Sequence, residues 1–153
     1  MRRRWNKKGE KRGSNERSNG SFQEKMSSKN LLTIFVFSIP LFIIHGIEEY
    51  FTGFYKVDDI LFGRLSPDIS QTAFTAFQLF WWTLLVAIAV GMSKGKLGFK
   101  MAVVIGLVYI FELQHLLHAF LDKAYFPGMV TALAFPLIAF LYWKVLIKKY
   151  GRS

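Results

Sequence analysis

The sequence predicts an all-α integral membrane protein that folds as a four-helix bundle. Of its 153 residues, 52% are hydrophobic, and these residues gather into four long apolar runs. Each run is close to the roughly 20 residues that an α-helix needs to cross the hydrocarbon core of a bilayer. A soluble domain would instead spread its apolar residues at a helical or strand period. The chain contains no Cys, which excludes disulfides and thiolate metal ligands.

The four runs predict membrane spans, which we place at residues 31–51, 69–92, 97–121 and 128–147. Pro40 and Pro136 fall inside the first and fourth runs. Because a proline removes one backbone hydrogen-bond donor, we expect each of them to kink its helix. Neighbouring helices can satisfy the carbonyl groups that such kinks leave free inside a membrane.

The composition divides the chain into three segments. Residues 1–30 contain ten of the twenty Lys and Arg and cannot bury enough apolar surface to fold alone. We predict a disordered basic cytoplasmic tail there, a four-helix domain over 31–147 and a basic cytoplasmic C-terminus over 148–153. The tail would attract anionic lipid headgroups by roughly 1 kcal/mol per basic residue near the surface. We therefore interpret the net charge of +10 as a membrane signal, and we expect no nucleic-acid partner.

The basic residues between the runs predict the orientation in the membrane. The loop after the second run carries Lys94, Lys96 and Lys100 without an acidic residue, and both ends of the chain are basic. In the loops after the first and third runs, acidic residues match or outnumber the basic ones. By the positive-inside rule, both termini lie in the cytoplasm. We expect a multi-pass protein of the cell membrane.

Two polar motifs interrupt the apolar runs, and they contain all three histidines of the chain. The first is HGIEE, from His45 to Glu49, and the second is ELQHLLH, from Glu112 to His118. The first and third runs, which contain these motifs, both lead from the cytoplasmic side towards the outside. At 1.5 Å per residue, His45 lies roughly 21 Å along the first span and Glu112 roughly 22 Å along the third. The two motifs are therefore predicted to meet at one depth, in the outer half of the membrane.

Helix geometry indicates which of these side chains converge. His45 lies three and four residues before the two carboxylates of its motif, so the three groups share one helix face. In the second motif, Glu112, His115 and His118 follow one another at intervals of three and wrap about a third of the helix circumference. His115 is the middle of that arc, and we expect it to point towards the first span.

The cost of burying these carboxylates predicts a metal site. Each ionised carboxylate at the centre of a membrane helix costs about 2.5–3.5 kcal/mol, and no Lys or Arg lies at their depth. A divalent cation would offset the charge, with imidazoles as natural co-ligands, and nitrogen and oxygen ligands suit Zn, non-haem Fe or Mn. An open coordination position would leave a Glu as general base. We predict four metal ligands and two acid–base groups: ligands His45, Glu48, His115 and His118, acid–base groups Glu49 and Glu112.

The two motifs and the segment that follows them resemble a known family. The H-x-x-E-E motif closes the first span, a membrane-helix histidine (His115 or His118) follows, and the pattern Tyr125-x-Pro-Gly-x-x-Thr131 precedes Pro136. This combination resembles the HXXEE domain family of small bacterial multi-pass membrane proteins over residues 31–147, with the basic tail outside. The resemblance implies a membrane domain of uncharacterised function and supplies no substrate.

Three functions are compatible with this pattern. The leading hypothesis is a metal-binding membrane protein. If it is an enzyme, we expect a hydrolase or oxidoreductase that acts on a lipid-like or isoprenoid-like substrate, because amphiphiles reach the outer half of the membrane. The first alternative is a transport module in which Glu48 and Glu112 carry protons or cations. The second is an accessory subunit whose polar cluster is only structural. Four spans are few for a solitary transport path, so either alternative calls for an oligomer or a partner subunit.

Overall fold

The structure is a computed structural model that describes residues 8–57, 62, 64–95 and 98–151, with side chains at Met26 and from Lys29 onward. Over these residues the chain is helical and contains no strand, so the predicted all-α fold is confirmed. Seven helices follow one another: α1 Lys8–Thr52, α2 Phe54–Val57, α3 Pro67–Ser93, α4 Phe99–Phe111, α5 Gln114–Asp122, α6 Met129–Ala132 and α7 Phe135–Tyr150.

Four stretches of helix are long and apolar enough to cross a membrane, which confirms the predicted four-span bundle. These stretches are Lys29–Thr52, Pro67–Ser93, Phe99–Asp122 and Met129–Tyr150. The outward faces of the helices carry many large apolar side chains, among them Phe37, Phe51 and Phe120. An apolar surface of this extent fits a protein whose solvent is lipid, because a soluble monomer rarely exposes contiguous apolar patches of such size.

The first helix extends well beyond its membrane span. It begins at Lys8, so helical backbone runs through most of the segment that the sequence predicted to be a disordered tail. Once the apolar span has nucleated the helix, each further residue adds a hydrogen bond without a new nucleation cost. Lys, Arg, Glu and Gln in this segment are good helix formers. Residues 1–7 and 152–153 lie outside the described part, and the cytoplasmic position of both termini stays a prediction.

The bundle core is built around aromatic side chains. Helix α1 packs against α3 and α7, and α4 packs against α7. Phe35, Tyr109, Phe135 and Tyr142 are fully buried between these helices. Both buried phenols have partners, as burial of a polar group requires: Tyr142 donates to the Ala102 carbonyl at 3.0 Å, and Tyr109 shares a 2.6 Å hydrogen bond with the Ser38 hydroxyl.

The third and fourth spans are each interrupted once. The third breaks between α4 and α5, at residues 112–113, and the fourth between α6 and α7, at residues 133–134. Pro136 lies in the first turn of α7, where the missing N–H would have no partner in the helix. By contrast, α1 continues through Pro40 as one helix. The break in the third span has no Gly or Pro beside it and was not predicted.

Gly106 sets the distance between α4 and α7, and we expect Gly106→Ala to destabilise the bundle. A Cβ there would lie 2.9–3.1 Å from indole atoms of Trp143, whose Nε1 donates to the Gly106 carbonyl. Overpacking of this kind costs about 1–3 kcal/mol, which outweighs the roughly 1 kcal/mol that Ala gains over Gly in a helix. Gly98→Ala is the control for steric overlap, because nothing lies within 4 Å of a Cβ there, and as the N-cap of α4 it should lose about 1 kcal/mol or less. Thermal unfolding in detergent should show a lower midpoint for Gly106→Ala than for Gly98→Ala. Equal midpoints for the two variants would contradict this account of the α4–α7 contact.

Candidate functional site

Four side chains from the two polar motifs meet in one buried group, which we call the His/Glu centre: His45, Glu49, Glu112 and His115. The Nε2 atom of His45 lies 3.1 Å from a Glu112 oxygen and 3.7 Å from a Glu49 oxygen. The Nε2 atom of His115 lies 3.3 Å from the same Glu49 oxygen and 3.6 Å from the same Glu112 oxygen. The two histidines are 3% and 1% exposed. The predicted meeting of the two motifs is thus present in the structure.

The first half of the centre follows from ordinary helix geometry. His45 and Glu49 are four residues apart on α1, which places both on one face. Gln78 of α3 donates from Nε2 to the second oxygen of Glu49 at 2.9 Å. Gly46 makes room for that amide, because a Cβ at Gly46 would lie 2.6 Å from the Gln78 Oε1 atom. Gly46 therefore leaves the space that Gln78 needs to donate its hydrogen bond to Glu49.

The second half depends on the break in the third span. The Leu113 N–H donates to the Ile110 carbonyl and the His115 N–H donates to the Glu112 carbonyl, each three residues back. Such hydrogen bonds are those of a 3₁₀ turn, in which side chains three residues apart eclipse each other. Glu112 and His115 therefore point the same way, instead of spreading around the helix as the sequence predicted.

His118 does not join the centre. Its side chain is exposed, and its ring stacks on Phe126 with centroids 4.8 Å apart. The sequence predicted His118 as a metal ligand on the assumption of one unbroken α-helix. The break at residues 112–113 instead directs Glu112 and His115 inward and leaves His118 outside.

Glu48 has a separate role, although the sequence predicted it as a ligand. Its carboxylate accepts hydrogen bonds from the backbone N–H groups of Val130 and Thr131 at 3.0 and 2.8 Å. It also accepts from the hydroxyls of Thr131 and Tyr125. Burial and the neighbouring Glu48 carboxylate raise the pKa of Tyr125, which keeps this phenol a donor. Glu48 thus satisfies the free N–H groups at the start of α6 and fixes that segment to α1.

Hydrogen bonds on the far side of the two rings assign their tautomers. The Nδ1 atom of His115 lies 2.7 Å from the Pro127 carbonyl, which only accepts, so Nδ1 carries the hydrogen. The Nδ1 atom of His45 lies 2.7 Å from the Thr131 hydroxyl. That hydroxyl gives its own hydrogen to the Glu48 carboxylate and can only accept from His45. In a neutral ring held in this way, the lone pair lies on Nε2, which faces the centre.

When both rings are neutral, the ring nitrogens and carboxylate oxygens that face one another at the centre are all acceptors. Within the described residues, the Nε2 atom of His45 makes no directed hydrogen bond, even though a Glu112 oxygen lies 3.1 Å away. Two imidazole lone pairs and two carboxylate oxygens repel one another unless cations or protons lie between them. The ligand atoms of His45, Glu112 and His115 all lie within 4.8 Å of one another, so this group could hold a metal ion.

The nitrogen–oxygen distances at the centre match those around such an ion. Ligand atoms at 2.0–2.1 Å from a tetrahedral Zn²⁺ lie about 3.3 Å apart, by the geometry of a tetrahedron. The four nitrogen–oxygen distances around the centre run from 3.1 to 3.7 Å. The hydrogen bond from each Nδ1–H to an oxygen is the usual way in which proteins orient histidine ligands.

Gly128 closes the centre from the side of the fourth span. Its φ is +85°, and a Cβ there would lie 2.7 Å from His45 Cε1, 3.0 Å from His115 Nδ1 and 3.1 Å from Glu49 Cγ. Only glycine suits both that backbone conformation and that space. Sequence reasoning did not assign Gly128, Thr131 or Gln78 to the site. The Tyr-x-Pro-Gly-x-x-Thr pattern and an amide inside the second apolar run were the available signals.

Comparison with known proteins supports the resemblance seen in the motifs. A family model described as "Protein of unknown function with HXXEE motif" matches residues 36–143. This range contains the whole His/Glu centre together with the α6 segment that Glu48 holds. A search of curated proteins and a search of solved structures each returned no match. Because the match covers more than half of the sequence, the chain belongs to the family of proteins of unknown function with an HXXEE motif.

Proposed function

We propose that this protein binds a divalent metal ion inside the membrane. The ligands are Nε2 of His45, Nε2 of His115 and a Glu112 oxygen, with a Glu49 oxygen beside both imidazoles. The observation that carries the proposal is the convergence of two imidazole lone pairs and two carboxylates at 3.1–3.7 Å in a buried place. This set replaces the ligand set predicted from sequence, because Glu48 and His118 are engaged elsewhere.

Charge balance favours a cation with two positive charges. Two ionised carboxylates carry a charge of −2, and both imidazoles are neutral in the tautomers assigned above. A divalent ion makes the centre neutral, which removes most of the cost of placing two carboxylates among apolar helices. Nitrogen and oxygen ligands without sulfur suit Zn, non-haem Fe or Mn.

The same geometry supports an enzyme. A bound divalent ion supplies Lewis-acid chemistry. Glu49 is the group best placed to hold or move a proton, because one oxygen faces the centre while Gln78 fixes the other. Glu112, predicted from sequence as an acid–base group, takes the place of a ligand instead. We propose a metal-dependent enzyme with a lipid-like substrate, since an apolar cavity adjoins the centre.

Packing of the rest of the bundle favours this function over transport. Phe35, Tyr142 and Leu146 are fully buried and fill the half of the bundle that lies away from the centre. Ions and protons need polar partners along a path, and tightly packed aromatic and aliphatic side chains offer none.

Metal content tests the ligand set directly. Protein purified without a metal-affinity column and dialysed against Zn, Fe or Mn should retain about one equivalent of metal, because the structure contains one such group of ligands within the described residues. His115→Ala should lose it, because one of two imidazole ligands is gone. His118→Ala is the matched control, three residues away on the same helix with an exposed side chain, and it should retain the metal. Mass spectrometry of bound metals reads out both variants.

Two outcomes of that measurement would contradict the proposal. Wild-type protein without metal after supplementation would favour protons shared between the carboxylates and the imidazoles. Equal metal retention in wild type and His115→Ala would place the ion elsewhere.

The adjacent carboxylates Glu48 and Glu49 should separate stability from metal binding. Glu48→Gln should lower the free energy of unfolding by about 1–3 kcal/mol, because an amide faces hydrogen-bond donors that the carboxylate accepted. It should leave the metal stoichiometry unchanged. Glu49→Gln should do the reverse, keeping the fold and weakening metal affinity by roughly tenfold or more, as loss of groups around a metal does. Unfolding in detergent and metal titration of both variants test this pair. If both variants lost stability and metal affinity to the same extent, the two carboxylates would not have separate roles.

A further inference from the structure

A cavity of about 460 Å³ adjoins the His/Glu centre between α1, α3 and α4. This volume is typical of small-molecule sites, which run from roughly 300 to 1,000 Å³. The polar part of the lining consists of the His/Glu centre with Gln78 and Gln114. The remaining walls are aromatic or aliphatic, among them Phe42, Phe74, Trp81 and Val108. The cavity is therefore amphipathic, with one polar group of side chains among apolar walls.

The cavity opens sideways, between the second and third spans. Although α3 and α4 follow one another in the chain, they are not among the helix pairs in substantial contact within the described residues. The rim consists of Phe77 on α3 with Val104, Leu107 and Phe111 on α4, and all four side chains are exposed. In a membrane such side chains face hydrocarbon. The cavity is thus continuous with the acyl-chain region of the bilayer.

We propose that this cavity binds one hydrocarbon chain of an amphiphile, which enters from the bilayer between α3 and α4 and places its polar end at the His/Glu centre. The binding of the hydrocarbon chain is inferred from the cavity alone, whereas the role of the amphiphile's polar end rests on the proposed function. A volume of 460 Å³ suits one chain with its reacting group rather than a whole two-chain lipid.

The walls also indicate where selectivity arises. Moving a hydrocarbon chain from lipid into an apolar cavity gains little, because lipid tails are as apolar as the walls. The polar end must therefore provide most of the discrimination, by contacts with the centre and Gln78. A column of water is the other occupant to consider, but apolar cavities stay dry unless polar partners line them, and here ten of the sixteen lining residues are aromatic or aliphatic.

Photolabelling in lipid nanodiscs tests the binding site. The probe is a palmitic acid analogue with a diazirine in its chain, added to wild-type protein in phosphatidylcholine discs and located by mass spectrometry. We expect label on Trp81 and Val108, which line the cavity and are only partly exposed. Leu107→Trp should lose this cavity label, because the larger ring narrows the rim.

A matched variant separates blocking of the rim from general effects. Leu137→Trp places the same ring on an exposed position of α7, 63% exposed against 51% for Leu107, away from the cavity. It should keep the cavity label. Val104→Trp, on the same rim as Leu107, should lose the cavity label. This second rim variant shows whether a loss of label in Leu107→Trp comes from a folding defect of that variant alone.

The outcomes distinguish this inference from the metal proposal when metal content is measured on the same samples. Cavity label that Leu107→Trp and Val104→Trp abolish supports the inference whether or not metal is present. Label confined to outward-facing residues, or cavity label unchanged in both variants, overturns it. Metal without cavity label contradicts the inference alone, and cavity label without metal contradicts the metal proposal alone.

Discussion

Two buried carboxylates among apolar helices must be neutralised, and the arrangement of the site depends on this electrostatic constraint. Glu49 and Glu112 face the Nε2 atoms of His45 and His115 rather than a Lys or an Arg. In both rings, Nδ1 forms a hydrogen bond on the side away from the centre, so Nε2 points at the carboxylates. The positive charge must then come from a bound ion or from protons. A divalent ion satisfies all four groups at once, which is why we place the function of this protein there.

The constraint also explains features far apart in the sequence. Glu48 holds the start of α6 to α1. That contact brings Thr131 to His45 and brings the backbone of Gly128 against both rings. The HXXEE motif therefore has two roles: His45 and Glu49 belong to the centre, and Glu48 joins the fourth span to α1. The break at residues 112–113 completes the arrangement from the third span.

The fold followed from the sequence more directly than the site did. Long apolar runs place the four spans to within a few residues, because length and hydropathy alone decide what crosses a bilayer. The shared depth of His45 and Glu112 followed from helix rise. The roles of Glu48 and His118 did not, since they depend on a 3₁₀ turn without Gly or Pro and on a segment more than 80 residues further along the chain. Gln78 and Gly128 likewise act through tertiary contacts that no local pattern specifies.

The most direct test of the central claim is the position of the metal, from anomalous X-ray diffraction of crystals grown with Zn or Mn. We expect one anomalous peak within about 2.0–2.2 Å of Nε2 of His45, Nε2 of His115 and an oxygen of Glu112. A peak beside His118 or Glu48, or none between the two buried histidines at full metal loading, would contradict it.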